Sequence, residues 1–182
     1  MCDIIVSGQL TMHQVALSDA DEIFKIIDTQ REYLGRWLPF VGNTHSVEDT
    51  RTFIRSLVEA PEGQGEPVFV IRFDGALAGL VGFKGSDRFN RRTEIGYWLS
   101  ESFQGRGIMT SSVKALLRYA FGEMGMNRVQ IRCGAGNLPS IGIPQRLGFK
   151  FEGIERAGEW LPNQGFINLE VYSLLAGEQI DG

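Results

Sequence analysis

Thr93-Glu94-Ile95-Gly96-Tyr97-Trp98-Leu99, then Ser100 to Phe103, then Gln104-Gly105-Arg106-Gly107-Ile108-Met109-Thr110: the reading of this stretch decides the fold. Its first part alternates and is rich in aromatic residues, which predicts a strand. Beyond Gly107, the residues Met109, Val113, Leu116, Leu117 and Ala120 recur at helical spacing, with Lys114 and Arg118 off the stripe, which predicts a long helix. Between strand and helix, two glycines flank the basic Arg106. Glycines let a backbone approach an anion, and the first N–H groups of a helix point at it with the helix dipole behind them. The pattern predicts a phosphate cradle. A glycine-rich turn without a ligand is the alternative, because lone glycine motifs are weak signals.

Working outward, 182 residues are enough for one domain with a substantial core. Hydrophobic residues make up 43% and charged residues 22%, ordinary values for a globular protein. A net charge of -4 argues against nonspecific nucleic-acid binding, which needs clustered Lys and Arg. Cys2 and Cys133 indicate neither a disulfide scaffold nor a zinc site. His13 and His45 are isolated, which favours surface or structural roles. No apolar run is long enough for a bilayer and no signal pattern opens the chain, so no membrane partner and a cytoplasmic location are expected.

Leu10 to Val15 reads as a first strand and Asp19 to Leu34 as a helix, capped by Ser18 or Asp19 and buried through Ile23, Phe24, Ile26, Ile27 and Leu34. A loop holding Trp37, Pro39 and Phe40 leads to a second helix near 47–59, with Phe53, Ile54, Leu57 and Val58 inward and Ser46 and Asp49 as a capping box. Pro61 to Pro67 is too short for a domain linker. Val68-Phe73 and Ala76-Phe83 are strands joined by Asp74-Gly75, a strong hairpin signal. After the long helix come a strand at 128–133, a short helix at 137–147 interrupted by Gly142 and Pro144 and ended by Gly148, and a final hairpin over 150–160 and 166–175.

Gln104-Gly105-Arg106-Gly107-Ile108-Met109 resembles the acetyl-CoA pyrophosphate loop of the GNAT acetyltransferases, Q/R-x-x-G-x-G/A. Gln104 and Gly107 match, while Met109 departs from the small final residue. The Lys-Ser/Thr ending of a nucleotide-triphosphatase loop is missing. The element order β-α-α-β-β-β-α-β-α-β-β is that of the GNAT fold, and the resemblance covers nearly the whole chain. It is most similar to the Rim type, the acetyltransferases of ribosomal-protein N-termini, through Glu94-Ile95-Gly96-Tyr97-Trp98-Leu99, Asn137-Leu138-Pro139-Ser140, Leu147-Gly148-Phe149 and Tyr172-Ser173-Leu174-Leu175. One departure is Asn168, where the family often has Asp.

The resemblance implies one GNAT domain over 1–182, an α/β fold with a mixed, mostly antiparallel twisted sheet flanked by helices. It implies an N-acetyltransferase that moves acetyl from acetyl-CoA to a primary amine, without a metal. The expected acceptor is a protein N-terminal α-amine of the ribosomal-protein type. Acetyl-CoA contacts are expected from Trp98, Leu99, Gln104, Gly105, Arg106, Gly107, Ile108, Met109, Thr110, Asn137 and Ser140. The oligomeric state is left open, a homodimer included.

Acetyl transfer needs a neutral amine, a stabilised oxyanion and a proton for the leaving thiolate. Glu94 is the candidate base: it shares a strand face with Gly96 and Trp98, and a carboxylate beside a glycine gap on an apolar strand is partly desolvated and readier to take a proton. Several GNAT enzymes carry a catalytic Glu on this strand. The alternative is a structural ion pair with Arg92 or Arg132. Ser140 is the candidate acid and Asn137 a candidate for the pantetheine arm, roles given to the matching residues of Rim-like enzymes; both residues also suit a helix start. A tyrosine acid looks absent, Phe149 and Phe151 standing in its region. The oxyanion donor is expected to be a backbone N–H near Tyr97 or Trp98. Trp37, Phe40 and Tyr97 are candidates to wall the acceptor site, against plain core packing for the first two. Two other readings stay open. One is a polyamine or aminoglycoside acetyltransferase, whose acidic cleft Asp19, Asp21, Glu22, Glu48 and Asp49 would supply, although helix starts favour acids anyway. The other is a non-catalytic acetyl-CoA-binding module, against which intact Glu94 and Ser140 argue.

Overall fold

Asp74 and Gly75 both take positive φ, 50° and 80°, as a two-residue hairpin turn of the kind expected requires. The computed structural model describes residues 3–61 and 65–178, so Cys2 and part of the turn at 61–67 lie outside the described residues. In chain order the elements are β1 (Asp3–Ile5), β2 (Leu10–Gln14), α1 (Ala20–Thr29), α2 (Arg31–Gly35), α3 (Val47–Val58), β3 (Val68–Phe73), β4 (Ala76–Asp87), β5 (Arg92–Leu99), α4 (Ile108–Phe121), β6 (Arg128–Gly134), α5 (Leu138–Arg146), β7 (Lys150–Leu161) and β8 (Gly165–Leu175). The strands hydrogen-bond in the order β1-β2-β3-β4-β5-β6-β8-β7. The β5–β6 pair is parallel; β1–β2, β2–β3, β3–β4, β6–β8 and β7–β8 are antiparallel. This is the expected mixed α/β fold with a mostly antiparallel sheet. Among the described residues, no helix is long and apolar enough to cross a membrane.

The chain divides into two compact units, Met1–Gly82 with Tyr97–Ile108, and Phe83–Gly96 with Met109–Gly182. In the first, Val15, Ala20, Ile23, Ile27, Leu34, Val41, Ile54, Val70, Leu77, Leu80 and Trp98 form the buried core. The expected helix over 19–34 is instead two, broken at Gln30 (φ -124°, ψ 30°). The Gln30 side chain donates to Ser100 Oγ at 2.9 Å and accepts from the Glu101 N–H at 3.0 Å, a tertiary use that local periodicity cannot announce. Asp19 forms no side-chain cap on α1; its carboxylate accepts from the Ala16 N–H and meets His13 and Arg72. The Ser46–Asp49 capping box on α3 forms as expected, and Ile54 is fully buried. Phe53 and Val58, expected inward, are 45% and 46% exposed: the buried stripe of α3 is narrower than its apolar content. β1 was not expected, being three residues with no alternation to read. Gly79 is held by contact: a Cβ there would lie 2.2 Å from the Trp98 carbonyl oxygen, so β4 and β5 approach only over a glycine.

In the second unit, Val113, Leu116, Leu117 and Ala120 of α4 are fully buried, as the spacing requires. Burying a leucine side chain contributes roughly 1.5–3 kcal/mol. Tyr119 stacks on Phe83 with ring centroids 6.1 Å apart. β4 continues past Phe83 to Asp87, where Ser86 and Thr93 share a hydroxyl hydrogen bond at 2.8 Å. Pro144 lies inside α5, while Pro139 takes its first turn and Gly148 follows with φ 77°. Arg128 holds Glu152 through paired bonds of 2.6 and 2.5 Å, and Ser173 adds one at 2.7 Å. Chiefly through the Arg128 bond, these hold the Glu152 carboxyl down from 4.5 to about 2. A carboxyl depressed in the folded state contributes stability present above its unfolded value and lost as pH falls through the folded one. Thermal melting is therefore expected to weaken as pH falls from about 4.5 to about 2, and Glu152→Gln to flatten that segment. Superimposable profiles would place the acid sensitivity in other groups.

Candidate active site

The loop after β5 begins in the first unit. A short 3-10 turn, Glu101–Phe103, leads to Gln104, whose amide donates to the Tyr33 hydroxyl of α2. Burial, and then the Glu101 charge, push the Tyr33 hydroxyl above its usual range, so it stays a neutral partner. Gly105 and Gly107 take φ of 73° and 72°, a conformation that side-chain-bearing residues adopt poorly. Among the described residues, a Cβ on either would meet nothing within 4 Å beyond its own chain neighbours. The Arg106 guanidinium lies 6.0 Å from the Phe73 ring centre and 5.6 Å from that of Phe103, within cation–π range, and the two rings pack edge to face. Helix α4 starts directly after Gly107, so the amides at its head, Ile108, Met109 and Thr110, lack partners within the helix. Left-handed glycines, open space and a helix start together fit a bound pyrophosphate. Met109 is buried at 5% exposure.

Trp98 belongs to the core of the first unit. Trp37 is half-buried and Phe40 is 38% exposed; neither belongs to that core. The five acids weighed for a polycation cleft are each engaged. Asp19 meets His13 and Arg72, Glu22 meets Arg72 and the Leu77 N–H, and Asp21 meets Arg51. Glu48 meets Arg55 and Arg51, and Asp49 caps α3.

In the second unit Glu94 is buried, its side chain 8% exposed. Oε1 receives Lys84 Nζ at 2.7 Å; Oε2 receives Arg132 Nε at 2.8 Å and Gln130 Nε2 at 2.9 Å. Arg132 also reaches Glu155 at 3.1 Å. Burial opposes the charge of Arg132, but Glu94 and Glu155 more than offset it, so its guanidinium is held above its ordinary value. The Arg132 ion pair weighed from sequence therefore exists, whereas Arg92 pairs with Asp87. Glu94↔Gln130 is the last residue pair of the β5–β6 ladder, so the candidate base sits where the parallel pairing ends. Lys84 and Gln130 were not singled out in the sequence. Lys84 had a signal, as the first charge after the apolar run 77–83.

Asn137 caps α5, accepting the Ser140 N–H at 3.4 Å. The Ser140 hydroxyl donates to Cys133 Sγ at 3.3 Å, and Cys133 is 2% exposed. Tyr172 is buried and donates to Glu170 at 2.6 Å; burial, and then that carboxylate, push its hydroxyl up to about 12.

Residues 9–150 match the family described as the acetyltransferase (GNAT) domain. The chain belongs to this family. Among GNAT relatives, it is 33% identical over 177 residues to the "Putative ribosomal N-acetyltransferase YdaF" of Bacillus subtilis (strain 168), covering 95% of this chain and 94% of that one. It is 29% identical to the ribosomal-protein-serine acetyltransferase of Escherichia coli (strain K12), covering 97% and 98%. A RimL ribosomal L7/L12 alpha-N-protein acetyltransferase, solved with coenzyme A in a cysteine disulfide, superposes with a TM-score of 0.90 at 26% identity, covering 95% and 97%. As a GNAT acetyltransferase the protein uses acetyl-CoA as its co-substrate.

Proposed function

We propose that this GNAT protein acetylates a protein N-terminal α-amine of the ribosomal-protein type. The observation that carries the donor half is the left-handed Gly105–Gly107 turn running into the head of α4. The names of the full-length relatives support the acceptor half, which would place the protein in the cytoplasm with its substrate. Acetyl-CoA supplies the activated acyl group as a thioester. The amides at Gly105 and Gly107 and at the head of α4 hold its pyrophosphate, with Gln104 and Arg106 fixing the loop and Trp98, Leu99 and Asn137 along the pantetheine arm. Glu94 takes the proton that leaves the attacking amine, and Ser140 holds the proton destined for the departing sulfur. Trp37, Phe40 and Tyr97 wall the acceptor.

Thiol release from acetyl-CoA, measured across a panel, tests the reading. A peptide with a free N-terminal serine is expected to accelerate release, and spermidine and an aminoglycoside are not. The internally engaged acids of the first unit favour that order. Faster turnover with spermidine would select the small-amine reading, and release that no amine accelerates would select the binding module. Ser140→Ala is expected to lower kcat at least about tenfold with acetyl-CoA affinity kept, because protonating the leaving group acts only in the transition state. Unchanged turnover would leave Ser140 as a first-turn residue alone.

A further inference from the structure

The two oxygens of Glu94 are held unequally. Oε2 is fixed by two part-buried donors, Arg132 and Gln130, and Arg132 is itself tethered to Glu155. Oε1 faces a different partner: the ammonium of Lys84, a flexible side chain that is 53% exposed. The stem of Lys84 lies over Gly96, its Cε 3.5 Å and Cδ 3.7 Å from where a Cβ on Gly96 would stand. The Lys84 stem thus runs past Gly96 at ordinary contact distance on its way to the buried carboxylate.

We propose that Lys84 is an internal stand-in for the acceptor: its ammonium occupies Oε1 of Glu94 until the ammonium of a substrate displaces it, which makes Lys84 a specificity-determining residue. The proposal rests on the reading of Glu94 as the base. A half-exposed lysine gives up an ion pair at little loss, since water solvates it as it swings away. The buried carboxylate is not free in the same way. Stripped of a partner it would be a poorly solvated charge, so the favourable event is exchange of one cation for another. A cationic amine fits that exchange and a neutral group of the same shape does not. Once seated, the new ammonium is hydrogen-bonded to the oxygen that accepts its proton; one N–H bond breaks and one O–H bond forms, leaving a neutral amine. Arg132 and Gln130 keep the carboxylate in place throughout.

Calorimetry tests this with two hexapeptides of one sequence, one with a free N-terminal serine and one N-acetylated, titrated into protein saturated with coenzyme A. Lys84→Met is expected to bind the free-amine peptide about fivefold tighter than wild type, the upper end of what an ion pair of a half-exposed lysine contributes, and the acetylated peptide equally. No gain for the free amine, or an equal gain for both peptides, overturns the proposal. Glu94→Gln separates the two ideas. If it loses affinity for the free amine while Lys84→Met gains none, the stand-in role alone falls. If neither variant changes free-amine binding, the assignment of Glu94 falls with it. A thermal melt of Lys84→Met serves as the folding control.

Discussion

Gly107→Val is expected to weaken acetyl-CoA binding at least about a hundredfold while leaving the fold intact. Gly107 takes φ 72°, and a β-branched residue there must rebuild the turn. Among the described residues, nothing beyond its own chain neighbours lies within 4 Å of a Cβ at this position, so the substitution clashes with no packed side chain and the damage is confined to the direction of the loop amides. Losing two charge-assisted hydrogen bonds at roughly 1.5–3 kcal/mol each accounts for that factor. Calorimetry on both proteins, with circular dichroism as the folding control, measures it. A folded variant that binds acetyl-CoA like wild type would move the cradle elsewhere and remove the main physical support for the donor site.

Glu94→Gln is expected to lower kcat by roughly 10²–10⁴-fold near neutral pH, the usual contribution of a positioned base. An N-terminal α-amine titrates near about 7.7–8.0, so it is mostly protonated at neutral pH and mostly neutral two units higher. High pH should therefore restore part of the lost rate, because the amine then arrives already neutral. The substitution also removes the charge facing Lys84 and Arg132, although Arg132 keeps Glu155. A purely structural Glu94 would give a loss that is flat across pH, and the slope of the pH–rate profile separates the two.

What could be read from the residues was what local chemistry dictates. The left-handed turn follows from Gly105 and Gly107, the buried stripe of α4 from its spacing, the capping box from Ser46 and Asp49, and the hairpin from Asp74-Gly75. Each needs only neighbours in sequence. The features that escaped depend on partners far along the chain. The break at Gln30 exists because its amide meets Ser100 and Glu101, 70 and 71 positions away. The clamp on Glu94 joins Lys84, Gln130 and Arg132 from two other strands, so charge alone could name Arg132 as a candidate but could not exclude Arg92. Phe53 and Val58 were misread because an apolar side chain does not announce whether anything lies opposite it.

Gln30 is also a strut. One amide locks the junction of α1 and α2 to the turn that leads into the Gln104 loop, and Tyr33, one turn further along, grips Gln104 itself. The segment carrying Trp37 and Phe40 leaves directly from α2. A lineage exploring new acceptors by remodelling residues 31–40 would drag its donor loop along with each change. Acceptor choice and donor grip are thus coupled traits in this scaffold, and a library meant to change the first without eroding the second should hold Gln30 and Tyr33 constant.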